Sequence, residues 1–241
     1  MNDAPRSVAD IGFAISHETR VRALEFLMSG CCLTGTELAR ACRAPLSSMS
    51  EHLLVLERAG LVHRRKASRH SYFELASPQV AVLLEAAGLL AAARPVRTLR
   101  ESELQRHERN GRLCYDHLAG QLGVALRQAL IDEALVECRG DECIVTREGA
   151  RSISAWCQAQ IEEGAILVGC VDGTERRLHL RGTVARAIAN AFLRRGWLQR
   201  GSGRAVRVTP LGARENPVLA TVEDMQKAAA GATALRAAAV R

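Results

Sequence analysis

Sulfur, imidazole and carboxylate recur together at two places in this chain. Cys114, Asp116 and His117 form one group, and Cys170, Asp172, Glu175 and His179 form the other. Two cysteines with one or two histidines make an acceptable donor set for zinc or a softer metal. Two such cysteines also make a redox switch. The same residues equally suit a structural part, the histidines buttressing the helices that follow and the cysteines packing as small apolar groups. A third pair is Cys138 and Cys143. If Gly140-Asp141 is a two-residue hairpin turn, Arg139 faces Glu142 and Cys138 faces Cys143, within disulfide reach. Nothing in the chain supplies a glycine-rich phosphate loop, a GxSxG elbow or an HExxH pair, so the expectation is a protein that is not an enzyme. A thiol- or metal-dependent enzyme in the C-terminal half stays as the alternative. The cofactor expectation is a metal ion or none.

The elements that carry these groups repeat at a spacing of 62 residues. His117-Leu-Ala-Gly120 and ALRQALIDEALV (125–136) match His179-Leu-Arg-Gly182 and AIANAFLRRGWL (187–198) without a gap. Each copy is expected to end in a hairpin-like stretch, 137–151 and 199–214, whose last pieces (Thr146–Arg151 and Thr209–Arg214) align after a one-residue insertion. Two helix–hairpin copies predict one α+β domain built about a pseudo-two-fold axis, with the two Cys/His groups near it. The matching positions for Cys138 and Cys143 are Arg200 and Ala205, so the repeat does not require that pair. From Glu215 the chain is Ala-rich, predicting a helix to at least Ala230.

The N-terminal third has a different grammar. Thr36–Arg43 reads as a short helix, broken at Ala44-Pro45. Leu46–Ala59 reads as a second helix, ended by Gly60. Leu61–Lys66 and His70–Leu75 read as a two-stranded wing. Helix, turn, helix and basic hairpin make a device for reading duplex DNA. Met49, Leu53 and Leu56 form the inward stripe of the second helix. Ser47, Ser48, Glu51 and His52 are candidates for base or phosphate contact, and Arg64, Arg65, Lys66, Arg69 and His70 for phosphate or minor-groove contact. Upstream, Ser7–Ile15 and His17–Met28 read as helices, with Ser16 the expected N-cap of the second. Downstream, Ser77-Pro78 opens another. The first and fifth helices carry more apolar surface than a small domain can bury, which predicts a homodimer.

Residues 8–93 resemble the arsenical-resistance-repressor (ArsR) family of winged-helix regulators. The matching text is ISHETRVRALEFLMSG followed by LTGTELARACRAPLSSMSEHLLVLERAGLVHRRKASRHSYFEL. The resemblance implies a homodimer, palindromic operators, repression and release by an effector. The family's metal sites do not carry over: Thr34, Gly35 and Thr36 stand at its Cys-Val-Cys-type positions, and the last dimer helix offers only Glu85. Larger members of the family carry a CYDHLAG-like run and a Cys-x-Asp-x-x-Glu-Arg run. Both are present here, as Cys114–Gly120 and Cys170–Arg176, with Gly173 where the family has Trp.

The expected architecture is therefore mainly α with small β-hairpins (α+β). It comprises a winged helix-turn-helix and dimerisation domain over 1–93, a linker helix or arm over 94–112, and a repeat domain with a helical tail over 113–241, a candidate for effector sensing. A net charge of +7 favours a polyanionic partner. Only Lys66 and Lys227 are lysines, so nearly all the positive charge is arginine, suited to bidentate contacts with phosphate and guanine. The N-terminal residues lack an apolar core for a secretory signal, and Val80–Ala93 is too short, and too charged at Glu85, for a membrane span. Eight cysteines without an export signal or CxxC pairs point to a reducing cytoplasm. Expected partners are double-stranded DNA, a second copy of the chain and an unknown effector, with no membrane. The alternative for the N-terminal part is a winged helix used for protein–protein assembly. The leading expectation for function is transcriptional regulation, by a repressor released by a ligand, metal or thiol signal.

Overall fold

The computed structural model describes residues 7–67, 70–91 and 99–227. The chain divides into two compact units, Met1–Leu84 and Glu85–Arg241.

The first unit begins with α1 (Val8–Ile15), closed at its start by a reciprocal capping box between Ser7 and Asp10. In α2 (Glu18–Leu27) the cap falls on His17, whose Nδ1 accepts from the Thr19 amide at 3.2 Å. The sequence placed it on Ser16. That residue instead ends α1, its hydroxyl donating to the Phe13 carbonyl. Arg20, nearly buried, donates to the Ala14 and Phe13 carbonyls and so satisfies the end of α1 from the next helix. A second capping box, Thr34 with Glu37, starts α3 at Gly35, and Arg43 in the left-handed region (φ 55°) ends it, giving α3 as Gly35–Cys42. After the turn at Ala44-Pro45 comes α4 (Leu46–Arg58), with Gly60 at φ 67° closing it. The wing is β2 (Val62–Ala67) and β3 (His70–Leu75), and β1 (Leu33–Thr34) joins β3 to give the order β1-β3-β2. Leu24, Leu38, Met49, Leu53, Leu56 and Phe73 fill the core. The helix α5 (Pro78–Leu90) follows, and the division between the units falls inside it.

The second unit opens with α6 (Leu99–Asn110), then β4 (Arg112–Cys114), β5 (His117–Ala119), α7 (Gly120–Asp132), β6 (Val136–Arg139), β7 (Glu142–Val145) and α8 (Arg147–Cys157). The second copy supplies β8 (Ile166–Val171), β9 (Leu178–Arg181), α9 (Thr183–Arg194), β10 (Leu198–Arg200), β11 (Val206–Val208) and α10 (Pro210–Glu215). Residues 217–227 are helical. The expected tail helix beyond 227 lies outside the described residues.

The repeat is visible in detail. Gly120 and Gly182 both take positive φ where strand turns into helix, and Ala134 and Gly196 both do so after α7 and α9. The sequence extended each hairpin to residue 151 or 214. Those ends are helices instead, α8 and α10, because Thr146 and Thr209 cap them by accepting from the Gly149 and Gly212 amides at 3.0 Å. Each copy's hairpin also lies on the first strand of the other copy. β7 pairs with β8, and β11 approaches β4 through the Arg112–Ala205 bridge, with Leu113 N–H donating to the Arg204 carbonyl. One sheet therefore runs β6-β7-β8-β9, and the smaller pairs β10-β11 and β4-β5 meet at the bridge. Leu122, Leu130, Ile153, Leu167, Ile188 and Phe192 are its most deeply buried side chains. Among the described residues no helix is long and apolar enough to cross a membrane.

Candidate nucleic-acid interface and cysteine–histidine cluster

In α4 the buried side is Met49, Leu53 and Leu56, as its spacing requires. Ser47 and Glu51 are exposed, and Ser48 is half-buried. His52 is drawn back against His17, ring centroids 4.4 Å apart, and its pKa is lowered by burial and then by the neighbouring His17 and Arg20. That favours a neutral, packed imidazole over a cationic phosphate contact.

Wing residues alternate between two faces. Arg64 pairs across the strands with Phe73, donates to the Ser71 hydroxyl at 3.0 and 3.1 Å, and lies 5.9 Å from the Phe73 ring centre. Lys66 is two residues on, on the same face and exposed. Arg65 belongs to the other face, where its guanidinium meets the Cys32 sulfur at 3.5 Å and that thiol donates to Glu74 at 3.0 Å. Hydrogen bonding to Glu74 and burial push the Cys32 thiol up. His70 is exposed at the start of β3. Arg69 lies outside the described residues.

Between α4 and the Arg64 face of the wing runs an open groove of about 390 Å³. Thr36, Leu46, Ser50, Leu54, Arg64 and His70 are among its lining residues. The sequence reading missed Ser50 and Leu54. Their signal was present: Leu46, Ser50 and Leu54 recur at intervals of four, a second stripe on α4 beside the core stripe. Of the cysteines in this unit, Cys42 is buried and its thiol is pushed up to about 11 by desolvation, so it behaves as a small apolar side chain.

In the second unit, Cys114, His117, Cys170 and His179 are all buried, with their ligand atoms within 4.8 Å of one another. Two cross-strand pairs deliver them. Cys114 faces His117 across the Tyr115-Asp116 turn of β4–β5, and Cys170 faces His179 across β8–β9. His117 and His179, equivalent in the repeat, meet Nε2 to Nε2 at 3.1 Å. Equivalent residues can touch only on the axis that relates them, so the cluster sits on the pseudo-two-fold.

Carboxylates stand behind both imidazoles. Asp116 Oδ1 lies 3.1 Å from His117 Nδ1, and Asp172 Oδ2 lies 3.6 Å from His179 Nδ1. Asp172 is fully buried. It accepts from the Thr174 amide and hydroxyl, the Glu175 amide and the Gly120 amide, and it pairs with Arg112 at 3.1 Å. Burial alone would raise its pKa; Arg112 and these donors hold it far below the usual carboxylate range. The His117 imidazole is also disfavoured as a cation by burial, but Asp116 and then Cys170 outweigh that and raise it. Hydrogen bonding from Cys114, together with His117 and His179, pulls the Cys170 thiol down against burial, while Cys114 is pushed up. Glu175 is not part of the cluster; it accepts from Arg109 at 2.8 Å. Glu85 is likewise committed elsewhere, to Arg112 and the Gly173 amide. At Gly173 a Cβ would come within 3.2 Å of the Glu85 carboxylate, so any side chain there would have to displace that acid.

Cys138 and Cys143 form a disulfide across the β6–β7 hairpin. Arg139 faces Glu142 next to the turn, so the cysteines occupy the following pair, where a two-residue turn leaves the strands closest.

Comparison with known proteins places the chain in a family. The family model described as "Helix-turn-helix domain" matches residues 15–65. The HTH-type transcriptional regulator YdfF of Bacillus subtilis (strain 168) is 30% identical over 211 residues, spanning 86% of this chain and 93% of that protein. The chain belongs to the HTH-type transcriptional regulators. The match to YdfF is long enough to include the repeat domain as well as the winged helix. Solved structures similar to part of the regulator include reduced HlyU from Vibrio cholerae N16961, at 28% identity over 35% of this chain and 88% of that one, with a TM-score of 0.32. The transcriptional repressor BigR from Xylella fastidiosa is similar at 23% identity over 36% and 88%, also with a TM-score of 0.32.

Proposed function

We propose that the regulator is a homodimeric repressor of the arsenical-resistance-repressor type, acting in the cytoplasm. It lays α4 in the major groove of double-stranded DNA and sets its wing against the flanking backbone. The observation that carries this reading is the shared side of α4 and the wing. Ser50 on the helix and Arg64 and His70 on the strands line one open groove, with exposed Ser47, Glu51 and Lys66 nearby in the same elements. Short polar side chains let a helix approach base edges, and arginine and lysine beside it neutralise phosphates. Support for the dimer comes from apolar side chains on α1 and α5 left exposed in the single chain: Val8 at 86%, Phe13 at 65% and Leu90 at 91%.

Release from DNA follows when a ligand, metal or thiol signal favours the DNA-incompetent state. The test is fluorescence anisotropy of the reduced full-length protein on DNA from its own upstream region, with scrambled DNA as control and with zinc, arsenite and a mild oxidant as challenges. Sequence-dependent binding that one challenge reverses is the expected result. Equal affinity for both DNAs would overturn the operator reading and favour a winged helix used for protein–protein assembly.

A further inference from the structure

We infer that Cys114, His117, Cys170 and His179 form a closed four-ligand site for one zinc-class divalent ion, which fastens the two copies of the repeat together at their pseudo-axis. This inference is independent of how the winged helix reads DNA.

The first reason is the donor set. Four protein ligands, two sulfur and two nitrogen, complete a tetrahedral shell for a borderline-soft ion and leave no open position for substrate. Bond lengths of about 2.0–2.3 Å imply ligand-to-ligand edges of roughly 3.3–3.8 Å. The two imidazole nitrogens are already 3.1 Å apart, and no pair of ligand atoms exceeds 4.8 Å. Small side-chain rotations close the difference.

The second reason is the way the imidazoles are turned. A carboxylate behind Nδ1 holds the proton there and leaves the Nε2 lone pair facing forward. Asp116 does this for His117 at 3.1 Å, whereas the buried His179 Nδ1 makes no hydrogen bond, Asp172 Oδ2 standing 3.6 Å away. The two Nε2 atoms lie 3.1 Å apart in a buried site, a separation that requires a proton or a cation between them. The third reason is duplication. Cys-x-Asp occurs at 114–116 and at 170–172, and each copy supplies one sulfur, one imidazole and a nearby acid. Packing alone would ask for apolar side chains on a buried axis; here both copies place thiol, imidazole and acid instead. Binding M²⁺ takes both sulfurs as thiolates and both Nε2 atoms as lone-pair donors, every proton still held on those four atoms leaves to solvent, and neither ligand nor ion changes oxidation state.

The experiment uses tag-free full-length protein, reduced and freed of metal, then given zinc or cobalt(II) alone. The expected results are one ion per chain and a cobalt spectrum with tetrahedral d–d bands and thiolate charge transfer. Zinc should protect Cys114 and Cys170 from alkylation, as located by peptide mass spectrometry. Asp116→Asn should weaken zinc binding by about 10–100-fold while leaving the stoichiometry intact, because it loosens the hold on His117 without removing a ligand. Cys114→Ser with Cys170→Ser should abolish the charge-transfer bands. If that double variant does not fold, the spectrum and protection of the unmutated chain still decide. A folded, reduced chain that takes up neither ion, an octahedral cobalt spectrum, or a native Cys114–Cys170 disulfide would each overturn the site. The same samples titrated with DNA keep the two readings apart, since an unmutated chain that takes up no metal but still binds the operator refutes only this one.

Discussion

Arg64 and Arg65 are adjacent in sequence and differ in surroundings, because a strand sends successive side chains to opposite faces. Arg64 is held over Phe73 and Ser71 on the α4 side, whereas Arg65 reaches Cys32. Replacing Arg64 and Lys66 by Ala should therefore weaken binding to every DNA sequence. It should also make the dependence of log K on log salt shallower by about 4 for the proposed dimer, roughly one for each of the four phosphates no longer neutralised, two per chain. Anisotropy titrations at several salt concentrations check this; an unchanged slope would take that face of the wing off the DNA. Glu51→Ala belongs to the other kind of interaction. It should relax preference at one base position, at a cost of about 1–3 kcal/mol against the preferred base and little against others. Glu37 offers a prediction in pH. Hydrogen bonds from the Thr34 amide and hydroxyl hold its carboxylate below its ordinary value. Its contribution is thus fully present above the unfolded-state value of about 4.3 and fades as pH falls through the lower folded value. Glu37→Gln should make acid unfolding of the first unit less steep in that range. Single residues were legible in the sequence where periodicity governs them, as with Met49, Leu53 and Leu56. They were not where partners come from distant segments: nothing local to His52 announces His17, and nothing local to Ser16 reveals that the cap moves to His17.

At the scale of elements, a helix cap explains both what was read correctly and what was missed. The spacing of 62 residues located α7 and α9 because amphipathic helices repeat their apolar positions. It did not separate hairpin from helix at Thr146 and Thr209, since a short polar run with a glycine suits either until the capping hydrogen bond is seen. Those glycines are required by close approach. A Cβ on Gly149 would run into the Leu135 carbonyl, and one on Gly212 into that of Trp197. Gly149→Ala should cost about 1–3 kcal/mol through forced displacement of α8 from the turn after α7, measured by denaturant unfolding. An unchanged midpoint would show that the hairpin yields freely. The β6–β7 disulfide makes a separate claim on the same element. Bridging so short a loop constrains the unfolded chain by about 2 kcal/mol. Cys138→Ser should lower stability by up to that amount in oxidised protein and by little in reductant. If operator binding follows the state of this bond, the hairpin is the site of the thiol signal.

For the whole molecule the proposed dimer makes the pairing of two chains the decisive quantity. On that reading one α4 presents a single short reading surface, and a single half-site offers few contacts. Joining two copies makes engagement of the second half-site intramolecular, which raises avidity without enlarging either reading surface, provided the spacing matches. Spacing is also where an effector can act: a signal that changes the separation of the two recognition helices changes affinity while each half-site is read as before. To move the population from 1:99 to 99:1 it must favour the DNA-incompetent dimer by about 5.5 kcal/mol. An ion held equally in both states shifts nothing, so a closed Cys₂His₂ site is compatible with a signal received elsewhere. The dimer reading predicts a definite pattern with altered operators. Half-sites on one face of the duplex lie roughly 34 Å apart. Inserting about five base pairs between them turns one half-site to the opposite face and should abolish tight binding; about ten should restore much of it, if the arms of the dimer can reach. Phe13→Glu together with Leu90→Glu should give a chain that sediments as a monomer, keeps its helical content, and is indifferent to both insertions. A variant that stays dimeric would move the interface away from the exposed apolar side chains of α1 and α5.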